Sequence, residues 1–298
     1  MSESHNRYDF SPIVERKHYA WPGGKSLAFY IGINIEHYHF LAGGGMDPHN
    51  RGGPPTHRNF SWRDYGNRVG VWRVFELLDK LQLPASILLN SSVCDKYPQI
   101  MQRIKARGDD VLGHGVTNSQ VSRGLSEVHE GRMISEATDK IEAATGVRPR
   151  GWLGPGATST AVTPDLLKER GYTHVVDWPC DDQPFWMRTR AGPLLSVPYP
   201  MEMNDAGAQV LRDHTAREFC DMIVDQFEEM LEQSERQPLV FGLALHGYIV
   251  GQPYRMRRLR TALQHCLQPK YRERLWITQT CGIAQYCMSL PPGLIPGS

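Results

Sequence analysis

The chain lacks an excess of charge of either sign, with 33 Lys and Arg against 32 Asp and Glu over 298 residues. No net field is available to draw in a polyanion or an anionic membrane surface, which argues against nucleic acid as a partner. Long hydrophobic runs are also missing. The longest, Leu27 to Ile33, includes a glycine and falls well short of the ~18–20 apolar residues of a membrane span. Met1 to Arg7 has no basic-then-apolar pattern of a secretory signal, so the expectation is a cytoplasmic protein. Cysteine is sparse and scattered. Cys94, Cys180, Cys220, Cys266, Cys281 and Cys287 have neither zinc-knuckle spacing nor the density of a disulfide scaffold. They read as reduced, buried apolar side chains, and none sits beside a glycine-rich turn or a histidine base that would make it a nucleophile. Repeats, low-complexity tracts and polar linkers are absent too, which predicts one domain over 1–298 with an N-terminal arm over about 1–25.

What the sequence does contain is an alternation of strand and helix signals. Residues 26–35 (SLAFYIGINI) are rich in β-branched and aromatic side chains and end where Glu36 and His37 begin, which predicts a buried strand with ionisable groups at its carboxyl tip. A Gly- and Pro-rich stretch at roughly 43–55, with His49 and His57, predicts a loop over the strand ends. Helical spacing over 67–81 precedes a strand at 85–90; a helix at 99–107 precedes a strand at 110–113 that runs into His114. Further helices are expected at 126–145, 164–171, 216–232 and 259–266, and further strands near Gly151 and at 174–177, 194–197, 238–245 and 276–278. About seven or eight strands, several ending in a polar residue, are what a parallel α/β barrel with its site at the carboxyl ends produces. An open doubly wound sheet is the alternative, but no glycine-rich nucleotide fingerprint follows any strand.

Closing such a barrel would gather Glu36, His37, His114, Asp177 and His246 on one rim. A carboxylate beside two or three histidines can hold a borderline cation such as zinc. It can equally work as a general base with a histidine acid opposite.

In order along the chain, Asn34-Ile35-Glu36-His37, His114-Gly115-Val116-Thr117-Asn118, Arg148-Pro149-Arg150-Gly151-Trp152, Asp177-Trp178 and Leu243-Ala244-Leu245-His246 resemble the five motifs of the NodB-type polysaccharide deacetylase superfamily, in the branch with allantoinase-like and cyclic imide hydrolase enzymes. The resemblance covers nearly the whole chain and implies a distorted (β/α)7 barrel. It further implies Glu36 as the base, His246 as the acid, Asp177 as the carboxylate that orients His246, and Arg150 or Arg148 as a tuning residue. His37, His114 and Asn118 fall at the family's metal-ligand positions, although His37 stands where the family has aspartate and Asn118 where it has histidine. One divalent metal, zinc first, is therefore one option and metal-independent hydrolysis the other. Trp152, Trp178, Trp186 and Tyr248 crowd the inferred rim, where 178–186 and 246–255 resemble segments this branch uses around a compact substrate, and Glu202 and Asn204 after Pro200 are further substrate-binding candidates. Relatives in the branch imply a homo-oligomer, and Tyr19 and Trp21 in the arm are placed either on a neighbour or on the chain's own barrel.

The leading reading is hydrolysis of a non-peptide carbon–nitrogen bond in a small amide, cyclic imide or ureide. A metal-dependent deacetylase of N-acetyl sugar polymers is the second reading, and a non-catalytic binding module the third.

Overall fold

The computed structural model describes residues 5–42, 47–48, 50 and 53–298. His49 and most of the expected loop lie outside the described residues.

The organising element is β1 (Leu27–Ile35), all nine residues of which are buried. Its two-residue period sorts them onto opposite faces. Leu27, Phe29, Ile31, Ile33 and Ile35 join Phe75, Leu78, Ile104, Phe227 and Leu263 in the helix-facing core. Ala28 and Tyr30 turn to the inside of the sheet with Leu88, Leu112, Leu153, Leu195, Val240 and Ala244. A strand apolar on both faces is stable only when both faces are covered, which is why it sits centrally in a parallel sheet under helices.

Around it run β2 (Ser86–Leu89), β3 (Asp110–Gly113), β4 (Gly151–Trp152), β5 (His174–Val175), β6 (Phe185–Met187), β7 (Leu194–Ser196), β8 (Leu239–His246) and β9 (Leu275–Ile277). The order is β6-β7-β5-β4-β3-β2-β1-β8, with β9 also on β1. Every pairing is parallel except β6 with β7. The helices are α1 (His57–Tyr65), α2 (Val71–Leu81), α3 (Ser92–Lys96), α4 (Pro98–Arg107), α5 (Glu127–Thr145), α6 (Thr163–Glu169), α7 (Ala216–Gln233), α8 (Gly247–Val250), α9 (Pro253–Cys266), α10 (Pro269–Arg272) and α11 (Thr280–Ser289). Among the described residues, no helix is long and apolar enough to cross a membrane.

The sheet curls into the expected α/β distorted barrel, but its seam closes weakly. Among the described residues the free edge of β8 is met by isolated contacts: Val240 N–H donates to Asp182 O at 2.9 Å, and Ala244 N–H to Met203 O at 2.9 Å. At the amino end of the strands the arm packs onto its own barrel. Tyr19 and Trp21 are buried in the inner core, Trp21 Nε1 donates to Leu239 O at 3.0 Å, and the Trp21 ring packs at a tilt against Trp276 and Tyr286.

Several elements depart from the sequence reading, α3, α8, α10 and α11 among them, and two do so for evident physical reasons. His57 opens α1 rather than lying in a loop, with Thr56 accepting from Asn59 N–H as its cap. No apolar stripe marks this helix, because the side chains it buries are Asn59 and Arg63. The strand β6 runs antiparallel and is only three residues long, too short for an alternation to register.

Between α1 and α2 the backbone opens into a π turn at 66–70, which docks directly on α8. A Cβ on Gly70 would lie 1.9 Å from Gly247 O, so the contact is backbone on backbone. Gly70→Ala is expected to force this packing apart and to lower stability by about 1–3 kcal/mol, read as a reduced Tm. An unchanged Tm would show that the turn is not a fixed support.

Candidate active site

Strand register assembles the site. Asn34 of β1 pairs with His246 at the end of β8, Ile35 with Leu89, and Leu89 with Gly113, the residue before His114. Glu36 continues the inward-facing parity of Ala28, Tyr30 and Asn34. His37 takes the opposite parity. Consecutive residues leaving an extended strand cannot both face its inner side.

Glu36 and its neighbours form a closed polar knot. One carboxylate oxygen, Oε2, accepts from Tyr38 Oη at 2.8 Å. The other, Oε1, accepts from Asn118 Nδ2 and is approached by His114 Nε2 at 3.5 Å and His246 Nε2 at 3.6 Å. Behind them, Asn90 Nδ2 donates to Asn118 Oδ1 at 3.2 Å and to His114 O. Arg63 lies over the Tyr38 ring at 3.7 Å, and Asn67 Nδ2 in the π turn donates to Glu36 O at 2.8 Å. His114 Nδ1 faces Leu153 O at 2.9 Å.

His246 is held from the other side. Its Nδ1 lies 2.6 Å from Asp205 Oδ1, and its backbone N–H donates to Asp205 Oδ2 at 2.8 Å. Burial alone would lower the His246 pKa, but Asp205 and then Glu36 outweigh it and push it up to about 10. Burial would likewise raise Glu36, yet His246, and His114 while its ring carries a second proton, hold its carboxyl well below the usual range. At neutral pH the knot is a carboxylate, an imidazolium and a carboxylate in a row.

Of the expected residues, the fold brings together Glu36, His114, Asn118, His246 and Tyr248, whose ring lies 5.6 Å from that of His246. Several others are placed elsewhere. Asp177 does not touch His246: its oxygens accept from Gly154 N–H and Ser159 Oγ, each at 2.7 Å, and burial pushes its pKa up to about 6. The carboxylate on His246 is Asp205. Arg150 is exposed and precedes β4, at the opposite end of the sheet from Glu36, and Arg148 pairs with Glu142 at 2.7 Å. Trp152 points outward beneath α5 and α6 in the cluster with Met133, Ile134 and Leu167. Trp178 is covered by His5 and Tyr8 of the arm, Trp186 packs against the inner core, and Glu202 is paired with Arg212. Asn204 caps the turn that follows it, accepting from Ala206 N–H at 3.0 Å.

The donor set suits a metal poorly. His37 is turned to Ser92, with Nδ1 3.1 Å from Ser92 Oγ and its backbone N–H on Asn90 Oδ1 at 2.9 Å. Burial, then Lys96 and His39, push its pKa down to about 4. Asn118 offers Glu36 its amide nitrogen, its oxygen being taken by Asn90. An imidazolium at His246 has no lone pair to give. Among the described residues no group of three or more His, Cys, Asp or Glu is placed to hold a metal ion.

Sequence reasoning passed over Asp205, Tyr38, Asn90 and Asn67. Asp205 had the faintest signal, one carboxylate between the singled-out Asn204 and a short apolar stretch.

Residues 62–175 match the family model described as polysaccharide deacetylase. A putative polysaccharide deacetylase of Schizosaccharomyces pombe is 25% identical, covering 89% of this chain and 91% of that protein. Among solved structures, the Puue allantoinase superposes with a TM-score of 0.83 at 22% identity, over 95% of this chain and 99% of that one. A probable polysaccharide deacetylase from Pseudomonas aeruginosa PAO1 gives a TM-score of 0.82 at 22% identity, over 95% and 99%. At these identities the two structures speak for the fold.

The raised His246 pKa links protonation to stability. Because it lies above the ordinary value of about 6.5, the stabilisation is fully present below that pH and is lost as pH rises through about 10. Asp205→Asn should weaken this dependence. Urea unfolding of the native protein is expected to lose stability between neutral pH and pH ~10 by at most about 1.4 kcal/mol per pH unit from this group, with a flatter slope in the variant. Equal slopes would mean that Asp205 does not hold the proton on His246.

Proposed function

We propose that this chain, a hydrolase carrying a polysaccharide deacetylase domain, opens the carbon–nitrogen bond of a small cyclic imide or ureide. One observation carries the reading: Glu36 and His246 stand 3.6 Å apart, and each residue is no more than 9% exposed. A base and an acid so close and so enclosed suit a compact, electrophilic carbonyl rather than a long polymer. The allantoinase likeness supports the same substrate class.

The chemistry follows from the charges. Water adds to the carbonyl carbon while Glu36 takes its proton. The tetrahedral intermediate collapses with rupture of the carbon–nitrogen bond, and His246 Nε2 gives its proton to the departing nitrogen. The product is an opened chain bearing a carboxylic acid. Transfer of the proton from Glu36 back to His246 restores the starting state.

Unliganded, Glu36 is a weak base because Tyr38, Asn118 and His246 stabilise its charge. A substrate carbonyl that takes up the His246 N–H removes part of that stabilisation, so Glu36 gains basicity when there is something to attack. The imidazolium also supplies the positive charge at the developing oxyanion that a metal would otherwise provide. Metal-independent hydrolysis is therefore the form that fits these donors.

Deacetylation of an N-acetyl sugar polymer is the second reading, favoured by the names of the relatives and of the matching family model. It would need a groove leading to Glu36, where Arg63 lies over the Tyr38 ring.

Glu36→Gln is expected to lower kcat on succinimide or hydantoin by about 100-fold to 10,000-fold in protein that still folds, as a cooperative thermal transition would show; residual activity near wild type would remove Glu36 as the base. Wild-type protein exhaustively dialysed against a chelator should retain full turnover with no stoichiometric metal by elemental analysis. Loss of activity restored by zinc would return His37, His114 or Asn118 to a ligand role.

A further inference from the structure

At the site, His114 Nε2 is buried with no hydrogen-bond partner among the described residues. The residue is 1% exposed, and its ring is fixed because Nδ1 is engaged with Leu153 O. A carbonyl oxygen only accepts, so Nδ1 carries a proton, and with that proton alone the ring presents a lone pair at Nε2. His246 is the opposite case. Its Nδ1 faces the carboxylate of Asp205, and as an imidazolium its Nε2 presents an N–H. Both Nε2 atoms converge on one oxygen, Glu36 Oε1, at 3.5 and 3.6 Å. The base is thus flanked by one acceptor and one donor.

We propose that this pair reads the cis edge of a cyclic amide, with the substrate N–H donating to His114 Nε2 while the adjoining C=O accepts from His246 Nε2. The inference rests on the carbon–nitrogen hydrolase reading above and names the feature by which that site selects its substrate. In a small ring the C=O and N–H of an amide lie on the same side. In an open-chain secondary amide such as an acetamido group they point in opposite directions, and the cis form is strongly disfavoured. An acetamido group can therefore satisfy one of the two histidines but not both, leaving the other buried and unpaired. His114 becomes a specificity-determining residue instead of a metal ligand, which gives a use to a nitrogen left open beside an otherwise saturated carboxylate.

The test measures kcat/KM for succinimide and N-methylsuccinimide, and acetate release from an N-acetylated chito-oligomer, with wild type, His114→Leu and His114→Gln. N-methylation should cost wild type about 50-fold or more. In His114→Leu succinimide should fall to the level of its methyl derivative, shrinking the penalty below about 3-fold. Leucine fills a similar volume, so relief of bulk would not explain that change. His114→Gln, whose side-chain oxygen accepts, should recover a penalty, and Tm separates folding defects from recognition. If wild type hydrolyses both imides equally, or if the penalty persists undiminished in His114→Leu, the edge-reading is wrong while the hydrolase reading stands. Acetate release without turnover of either imide would overturn both.

Discussion

An imidazolium caught between two buried carboxylates is the interaction on which the rest of this molecule depends. Asp205 and Glu36 are each nearly or fully buried, and a buried carboxylate is costly unless it is paired and hydrogen-bonded. His246 answers both at once, through Nδ1 to Asp205 and Nε2 toward Glu36. Tyr38 and Asn118 satisfy the remaining acceptor capacity of Glu36. Much of the surrounding architecture serves to keep these groups in register: the β1–β8 pairing sets His246 beside Asn34, and the π turn at 66–70 locks α8 from outside while Asn67 holds the Glu36 carbonyl.

The same geometry explains why adjacent ionisable residues have different fates. Glu36 follows the inward parity of β1 and reaches the histidines, whereas His37 turns to Ser92 and Tyr97. A motif that places two ligand-type residues side by side in sequence does not place them side by side in space unless the backbone leaves its extended form between them. The charge that a metal would bring is carried instead by His246, whose proton is fixed by Asp205.

Much of the fold was legible because long apolar strands and capped helices leave periodic marks. β1, β8, α5 and α7 have such marks, the last closed by a capping box of Thr215 and Glu218. Residues at strand tips were legible for the same reason: Glu36, His114 and His246 each end an apolar run. The residues that escaped notice act from irregular backbone. Asp205 precedes a π turn, Asn67 lies within another, and α1 buries polar side chains that break the expected stripe. Asp177 and Arg150 carried plausible roles by resemblance, but one is hydrogen-bonded to Gly154 and Ser159 and the other sits at the wrong end of β4. Spacing locates strand ends; which carboxylate reaches a given histidine depends on how the loops between them pack.

The charge state of His246 is open to direct measurement through the 15N chemical shifts of its imidazole ring across pH, assigned with a His246→Gln control. A protonated ring through neutral pH, losing its proton near pH 10, is the predicted result. A ring already neutral at pH 7 would contradict the carboxylate–imidazolium–carboxylate arrangement and, with it, the acid assigned to the reaction.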